Sequence, residues 1–321
     1  MWVVSAVACL VLLGVLGTGP TVAQTTQQVR LIVPFATGGP TDIGARVIAP
    51  YLSELIKRQV IVENKPGSTG AIGAELVARA APDGATILFG TSTTMGSSPA
   101  IFPKQPYDVV KDFIPVGVVA TTDNVLVVHP SIPVSTAREF IVYAKANPGK
   151  ITYGSSGIGS TYHLGSELFA AQTGTILTHV PYKGAGPAAQ DLVAGHILMM
   201  MDAMISAAPN VRAGKVKALG VASLKRNPEL PDVPTLAEQA VTGCEFSQWI
   251  AFFLPAATPR SIVERLNADL NTVLGKPDVK EKFTRLGMQA APGTPDELSA
   301  TLRADLARWS KVVREANIKP E

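Results

Sequence analysis

The chain is short of cysteine, of clustered positive charge and of the short motifs that mark the common enzyme classes. Its two cysteines are Cys9 and Cys244. Cys9 falls in an apolar N-terminal run that reads as a leader, so Cys244 is alone in the mature chain. No intramolecular disulfide can form there, and the core must carry the stability. The lone thiol reads as a small buried apolar side chain rather than a nucleophile. The formal net charge is only +3, with Lys and Arg spread along the sequence, which excludes the basic stripe that nucleic acid requires. Gly-Lys-Ser/Thr, His-Glu-x-x-His and Cys-x-x-Cys are all absent. Gly-x-Ser-x-Gly fails at Ser156, because Ile158 stands where the second glycine belongs, and Gly157-Ile158-Gly159 lacks the third glycine of a dinucleotide fingerprint. The four histidines, His129, His163, His179 and His196, have no metal-ligand spacing. No cofactor and no metal are expected.

Lys and Arg are missing from the first 23 residues too. The apolar run from Met1 to Gly17, followed by Thr21-Val22-Ala23, reads as a secretory h-region with small residues at a cut after Ala23. The positive n-region of a signal peptide is lacking, which leaves an uncleaved anchor as the alternative. A lipoprotein reading at Cys9 is weaker, since only eight residues precede it.

What is present is an alternation of short apolar runs with amphipathic stretches, the pattern of an α/β protein. Strands are expected over 29–35, 60–63, 85–90, 116–119 and 125–129, and helices over 43–56 and 71–80. The pattern then restarts. Thr136 with Glu139 makes a capping box for a helix to about residue 146. Strands follow over 151–153, 176–180, 197–201 and 216–222, with helices over 162–172 and 188–194. Pro228, Pro231 and Pro234 mark a crossover. Beyond it the remainder reads as helical, with Thr258-Pro259 starting one helix, 279–286 another, and Thr294 with Glu297 capping a last one to about residue 316.

Two loops match each other. One strand ends at Pro34-Phe35 and runs through Ala36-Thr37-Gly38-Gly39-Pro40-Thr41-Asp42 into a helix. Another ends at Tyr153 and runs through Gly154-Ser155-Ser156-Gly157-Ile158-Gly159-Ser160-Thr161 into a helix. The first N–H groups of a helix lack internal partners, and the helix dipole adds positive charge there. Glycines let several amides point at one centre, and Ser and Thr add donors. Such a unit binds an anion without Arg or Lys. Two facing units would grip a carboxylate between them. The plainer reading is a pair of ordinary βα turns, with Asp42 and Thr161 as N-caps and Asp42 with Arg46 as a surface pair. His163 reads as a ligand contact or a first-turn helix residue. Asp202 follows the Met199-Met200-Met201 strand and is a cleft candidate, because ligands of open α/β sheets sit at the carboxyl ends of strands.

The joint order of these motifs resembles the extracytoplasmic solute receptors of tripartite tricarboxylate transporters, the Bordetella uptake gene receptors. The marks are Val33-Pro34-Phe35 with Gly38-Gly39-Pro40-Thr41-Asp42, Val62-Glu63-Asn64-Lys65-Pro66-Gly67, Pro82-Asp83-Gly84 and the loop from Tyr153 to Ser160 with His163. Val180-Pro181-Tyr182-Lys183-Gly184, Gly214-Lys215 and Asp232-Val233-Pro234-Thr235 with Glu238 complete the order. The resemblance covers essentially the whole mature chain. It implies a type II periplasmic-binding-protein fold, two α/β lobes around a ligand cleft, with the C-terminal helices returning to the first lobe. Lobe 1 is expected over 24–122 with 226–321, and lobe 2 over 123–225. It also implies a periplasmic monomer that takes a small carboxylate by hinge closure and hands it to the transporter's membrane subunits. By motif match the grip is Phe35, Ala36, Thr37, Gly38, Gly39, Thr41 and Asp42 from one lobe, and Ser155, Ser156, Gly157, Gly159, Ser160, Thr161 and His163 from the other. Thr91 and Ser92 are expected as a third wall, Tyr182 and Lys183 as a fourth. Two alternatives stay open: a ligand-sensing partner of a membrane signalling protein, and a hydrolase using Ser155 or Ser156 with His163.

Overall fold

A computed structural model describes residues 28–315 and 318. The expected leader and its cleavage point lie outside the described residues. Three parallel strands open the chain: β1 (Val29–Val33), β2 (Val60–Asn64) and β3 (Thr86–Thr91). They are linked by α1 (Pro40–Ile56) and α2 (Ala71–Ala78). A π-helical turn over Thr93–Ser97 and the short α3 (Ser98–Ile101) follow.

The next strand joins the two halves of the molecule. The sequence suggests two strands over 116–119 and 125–129, but a single β4 (Phe113–Val128) runs through both. It pairs antiparallel with β9 (Ser247–Pro255) as far as Asp123, and from Asn124 onward with β7 (Met199–Ala203). One continuous backbone therefore belongs to both halves of a curled sheet, in the order β2-β1-β3-β9-β4-β7, with β5 (Ile151–Ser155) and β6 (Leu177–Pro181) beyond β7. The second half is built from β5, β6 and β8 (Lys217–Val221), with α4 (Ala137–Ala146), α5 (Thr161–Thr173), α6 (Ala185–Ala194) and α7 (Met204–Arg212). Thr136 caps α4 as expected, its Oγ1 accepting from Glu139 N–H, while Glu139 Oε2 reaches one residue past the cap and accepts from Ser135 N–H.

The region beyond the prolines is not all helical. β9 is buried along almost its whole length and sits between β3 and β4. A strand covered on both faces has no reason to alternate polar and apolar residues. Its run Trp249-Ile250-Ala251-Phe252-Phe253-Leu254 therefore carries no period-2 signal. A short β10 (Met288–Ala290) pairs with β4. α8 (Arg260–Gly275) begins after Pro259, one residue later than the Thr258-Pro259 reading. α9 (Pro277–Arg285) follows, and Thr294 with Glu297 caps α10 (Pro295–Glu315) by two reciprocal hydrogen bonds.

α8 and α9 bury Leu266, Leu270, Val279 and Phe283 with the first half. α10 reaches further. Leu298 and Leu302 pack with the first half, while Trp309 is 1 % exposed in the core of the second, edge-on to Phe246 at 5.8 Å. Burying a side chain of that size is worth about 3 kcal/mol, so α10 ties the two halves together. Among the described residues no helix is long and apolar enough to cross a membrane, and no cluster of His, Cys, Asp and Glu could hold a metal ion.

Candidate functional site

The loop from β1 to α1 is held from inside. Asp42, 2 % exposed, accepts hydrogen bonds from Gly38 N–H (3.0 Å), Arg46 Nε (3.0 Å to Oδ2) and Asn64 Nδ2 (3.0 Å). Burial pushes this carboxyl up, but the bonds from Arg46, Gly38 and Asn64 outweigh it and hold the carboxyl below its usual range. Asn64 also donates to the Phe35 carbonyl at 3.0 Å. Asp42 is thus a post inside the loop. Gly38, at φ +84°, supplies the left-handed turn that lets its own amide reach back to it.

The loop from β5 to α5 is satisfied in the same manner. Ser155 Oγ accepts from Gly157 N–H at 3.1 Å, and His163 Nδ1 accepts from Gly159 N–H at 3.1 Å. Ser160 Oγ accepts from His163 N–H, the N-cap of α5. His163 is the outer ring of a stack, 4.1 Å from His179 between ring centres, with Tyr153 4.9 Å beyond His179. Burial pushes His163 down to about 4, and burial with the neighbouring ring pushes His179 down to about 3. Both rings are neutral at pH 7. A serine–histidine contact exists, but it joins Ser155 Oγ to His179 Nε2 at 2.6 Å, and Ser155 is fully buried. Neither serine pairs with His163.

Gly38, Gly157, Gly159 and Thr161 therefore spend their amides inside the protein, Thr161 on Thr93 Oγ1 at 3.1 Å. The amides of Ala36, Gly39 and Ser156 take part in none of these bonds. The same three residues line a narrow inner space, together with Phe35, Thr41, Thr91, Thr93, Tyr162, Ala185 and Gln248. About 20 Å³ of it is open to the centre of a water, somewhat more than the ~10–15 Å³ one water needs. That is room for a carboxylate head and little else. No charged side chain lines it. Ser156 Oγ, on a residue 4 % exposed, has no hydrogen-bond partner among the described residues, and neither does the fully buried Ser92 Oγ. A buried hydroxyl left unpaired costs about 1–3 kcal/mol, so Ser156 is a donor waiting for an acceptor.

Which helix starts meet here differs from the sequence reading. At the start of α5 the amides of Thr161 and His163 are taken by Thr93 and Ser160, so it lends the inner space only the Tyr162 side of its first turn. The start of α6 takes its place: Gly186 lies against Gly38 and Gly39, and Gly184 against Ala36, so close that a Cβ on Gly186 would sit 3.5 Å from Gly39 N. Thr37, Gly38, Asp42, Ser92, Ser155, Gly159, Ser160, Thr161, His163 and Asp202 line neither this space nor the larger chamber beside it. Asp42, Ser155, Ser160 and His163 instead hold the loops from within, while Thr37 is exposed to solvent. Asp202 is buried beside Tyr162 and Ser206, where loss of water pushes its carboxyl up to about 7 against hydrogen bonds from Ser206 and its neighbour's N–H.

The two halves touch across the loops. Thr93 Oγ1 lies 2.9 Å from Thr161 Oγ1, Ser97 Oγ donates to Gly159 O at 2.8 Å, and Thr69 Oγ1 donates to Ile158 O at 2.7 Å. Outside them lies a chamber of ≈ 570 Å³ that shares Phe35 and Ser156 with the inner space and adds residues 67–72, Phe102, residues 104–106, Gly157, Ile158, Tyr182 and Lys183. The sequence reading omits residues 67–72, although Gly67-Ser68-Thr69-Gly70 has the same small, polar composition as the two loops it names. Gln248 is missing from it because β9 is missing.

Comparison with known proteins fits this geometry. The model of the tripartite tricarboxylate transporter family receptor matches residues 44–318. A protein of Pseudomonas sp. strain P51, described as a UPF0065 protein in the tcbD-tcbE intergenic region, is 43% identical over 294 residues, covering 91% of this chain and 87% of its own. Among solved structures, R. palustris Rpa4515 with adipate is 37% identical with TM-score 0.89, covering 93% of this chain and 100% of its own. MatC from Rhodopseudomonas palustris with bound malate is 35% identical with TM-score 0.86, covering 89% of this chain and 98% of its own. The fold is accordingly that of the type II periplasmic binding proteins. With the matched model spanning most of its length, the chain belongs to the tripartite tricarboxylate transporter receptor family, whose members are solute-binding receptors rather than enzymes.

Proposed function

We propose that this receptor captures a small carboxylate in the periplasm and presents it to the membrane subunits of a tripartite tricarboxylate transporter. The observation that carries the reading is the set of unspent donors. The amides of Ala36, Gly39 and Ser156 enter none of the hydrogen bonds described above, the buried Ser156 hydroxyl has no partner among the described residues, and these three residues line one uncharged space between the halves. Donors fixed in advance stabilise an anion without the cost of reorienting, and a single carboxylate has two oxygens to share between them. Adipate and malate in two relatives support the same class of ligand.

Capture is a change of population. The halves, 24–122 with 226–321 and 123–225, act as lobes that swing about β4 and β9. A carboxylate touching Ala36 and Gly39 on one lobe and Ser156 on the other completes its contacts only when they close. The closing bonds, Thr93 with Thr161 and Ser97 with Gly159, then lock the shape that the membrane subunits read. A thermal-shift screen of the protein without its first 23 residues tests this. A carboxylate at ~100 times its Kd adds roughly 2.7 kcal/mol, several degrees for a protein of this size. Amines and neutral sugars add none. A carboxylate panel without a single shift, beside a sugar or an amine that gives one, overturns the reading.

A further inference from the structure

We infer that Asp202 takes up a proton each time a carboxylate enters the inner space and gives it back when the acid leaves. The inference rests on the carboxylate reading above and adds what travels with the anion.

Asp202 stands behind the wall of that space. Tyr153 pairs with Met199 where β5 and β7 run parallel. Three residues further on, the same register brings Ser156, just past the end of β5, level with Asp202 in β7. A second route leads to the same place. Tyr162 and Gln248 both line the space, and the Tyr162 hydroxyl is bonded to Gln248. Gln248 Nε2 in turn donates to Asn124 Oδ1 at 2.5 Å, at the residue where β4 leaves β9 for β7. Burial, and after it the neighbouring Asp202 carboxylate, push the Tyr162 hydroxyl up. An acid that is 2 % exposed is thus set against the back of an anion site, where the two halves meet.

Two negative charges at that spacing oppose each other. Neighbouring strands lie about 5 Å apart, and an acid bonded to Ser156 Oγ adds about 3 Å. The two carboxylates therefore come within about 10 Å of each other. At an effective dielectric near ~20, repulsion at that distance changes an equilibrium about tenfold. Protonating Asp202 removes it. The balance is one proton moved from solvent to an Asp202 oxygen for each acid bound, and no other bond changes.

Asp202 is poised for the exchange. Burial pushes its carboxyl up to about 7, against hydrogen bonds from Ser206 and the Ala203 N–H. The side chains that meet it are Val125 of β4, Ser206 of α7 and Tyr162 of α5, and of these only Tyr162 titrates, well above neutral pH. His163, next along α5, belongs to the stack with His179 and stays neutral at pH 7. Asp123, two residues before Val125 on β4, accepts from Asn227 Nδ2 at 2.8 Å. The anion raises Asp202 further, so binding is tightest below pH ~7 and weakens as pH rises above it.

The test is calorimetry on the mature protein with acetate, adipate, malate and benzoate, in phosphate and in Tris, from pH 6.5 to pH 9. The acids that bind should take up about 0.4 proton at pH 7, read from the difference in heat between the two buffers. Their Kd should rise about tenfold across the range. Asp202→Asn has the shape of the protonated acid, so it should bind with one affinity at every pH and take up no proton. A carbon-13 titration of the aspartate carboxyls in the wild type needs no variant: one buried signal should titrate near neutral pH in the free protein and move to higher pH with the acid bound. Binding without proton uptake, uptake that survives Asp202→Asn, or a carboxyl signal that the acid leaves in place overturns the inference while the carboxylate reading stands. Failure of every carboxylate to bind overturns both.

Discussion

Asp202→Asn should reverse part of the protein's pH dependence, and the structure sets both its size and its sign. Asp202 lies in β7 opposite Val125, with Tyr162 and Ser206 beside it. Burial raises its carboxyl to about 7, whereas in the unfolded chain it titrates near ~3.9. Between those values the folded state holds a proton that the unfolded state has released, so stability is full below pH ~4 and is lost as pH rises through ~7. At about 1.4 kcal/mol per pH unit the total reaches ~4 kcal/mol, an upper figure for a buried group. The amide cannot ionise and keeps the shape. Urea melts of both proteins every half unit from pH 4 to pH 8 give the difference directly. Variant minus wild type should climb by several kcal/mol across the window, so that the variant gains on the wild type most at pH 8. A difference that stays level would refute the burial argument.

Other consequences follow from the same geometry. Ser156→Ala removes an unpaired buried hydroxyl, so it should raise the ligand-free melting temperature or leave it unchanged, while weakening carboxylate binding about 10-fold or more; calorimetry beside a melt reads both signs. Gly157 has φ +125° and stands where a Cβ would meet Thr69 Oγ1 at 3.0 Å, so Gly157→Val should hold the halves apart, abolishing the ligand-induced thermal shift in a protein whose circular dichroism is unchanged. His163 and His179, held at about 4 and about 3 by burial, bind no proton in the fold at pH 5, whereas both are protonated in the unfolded chain. They contribute stability above pH ~6.5 that is lost as pH falls toward 4, and His163→Gln should flatten that acid limb in a urea-melt series. Cys244 is fully buried with its thiol pushed up to about 12, so Ellman's reagent should label it only after denaturant is added.

The helices with strong end signals were legible in the sequence. Thr136 with Glu139 and Thr294 with Glu297 cap the helices they predict, because these signals depend on residues three apart and need no tertiary context. β9 and the continuity of β4 were not. β9 is covered on both faces, which erases the alternation that marks a strand, and β4 is interrupted in sequence by Thr121-Thr122-Asp123-Asn124, polar residues at the crossing from one half to the other. α7 carries Pro209 within it and follows β7 without a turn, so neither end was marked. The Gly-rich loops were legible as loops, but not which amides they leave over. That depends on Asp42 reaching Gly38 and His163 reaching Gly159, contacts only the fold creates. For the same reason the places of Thr93, Tyr162, Ala185 and Gln248 around the inner space are not legible in the sequence, nor is the burial of Thr161 against Thr93.

A crystal structure of the mature protein with the carboxylate that shifts its melting most is the most direct measurement. The account places one carboxylate oxygen within about 3 Å of Ser156 Oγ and the other within reach of the Ala36 and Gly39 amides, with the rest of the acid in the outer chamber. An acid held only in the outer chamber, with Ser156 Oγ still unpaired and the inner space filled by side chains, would contradict it.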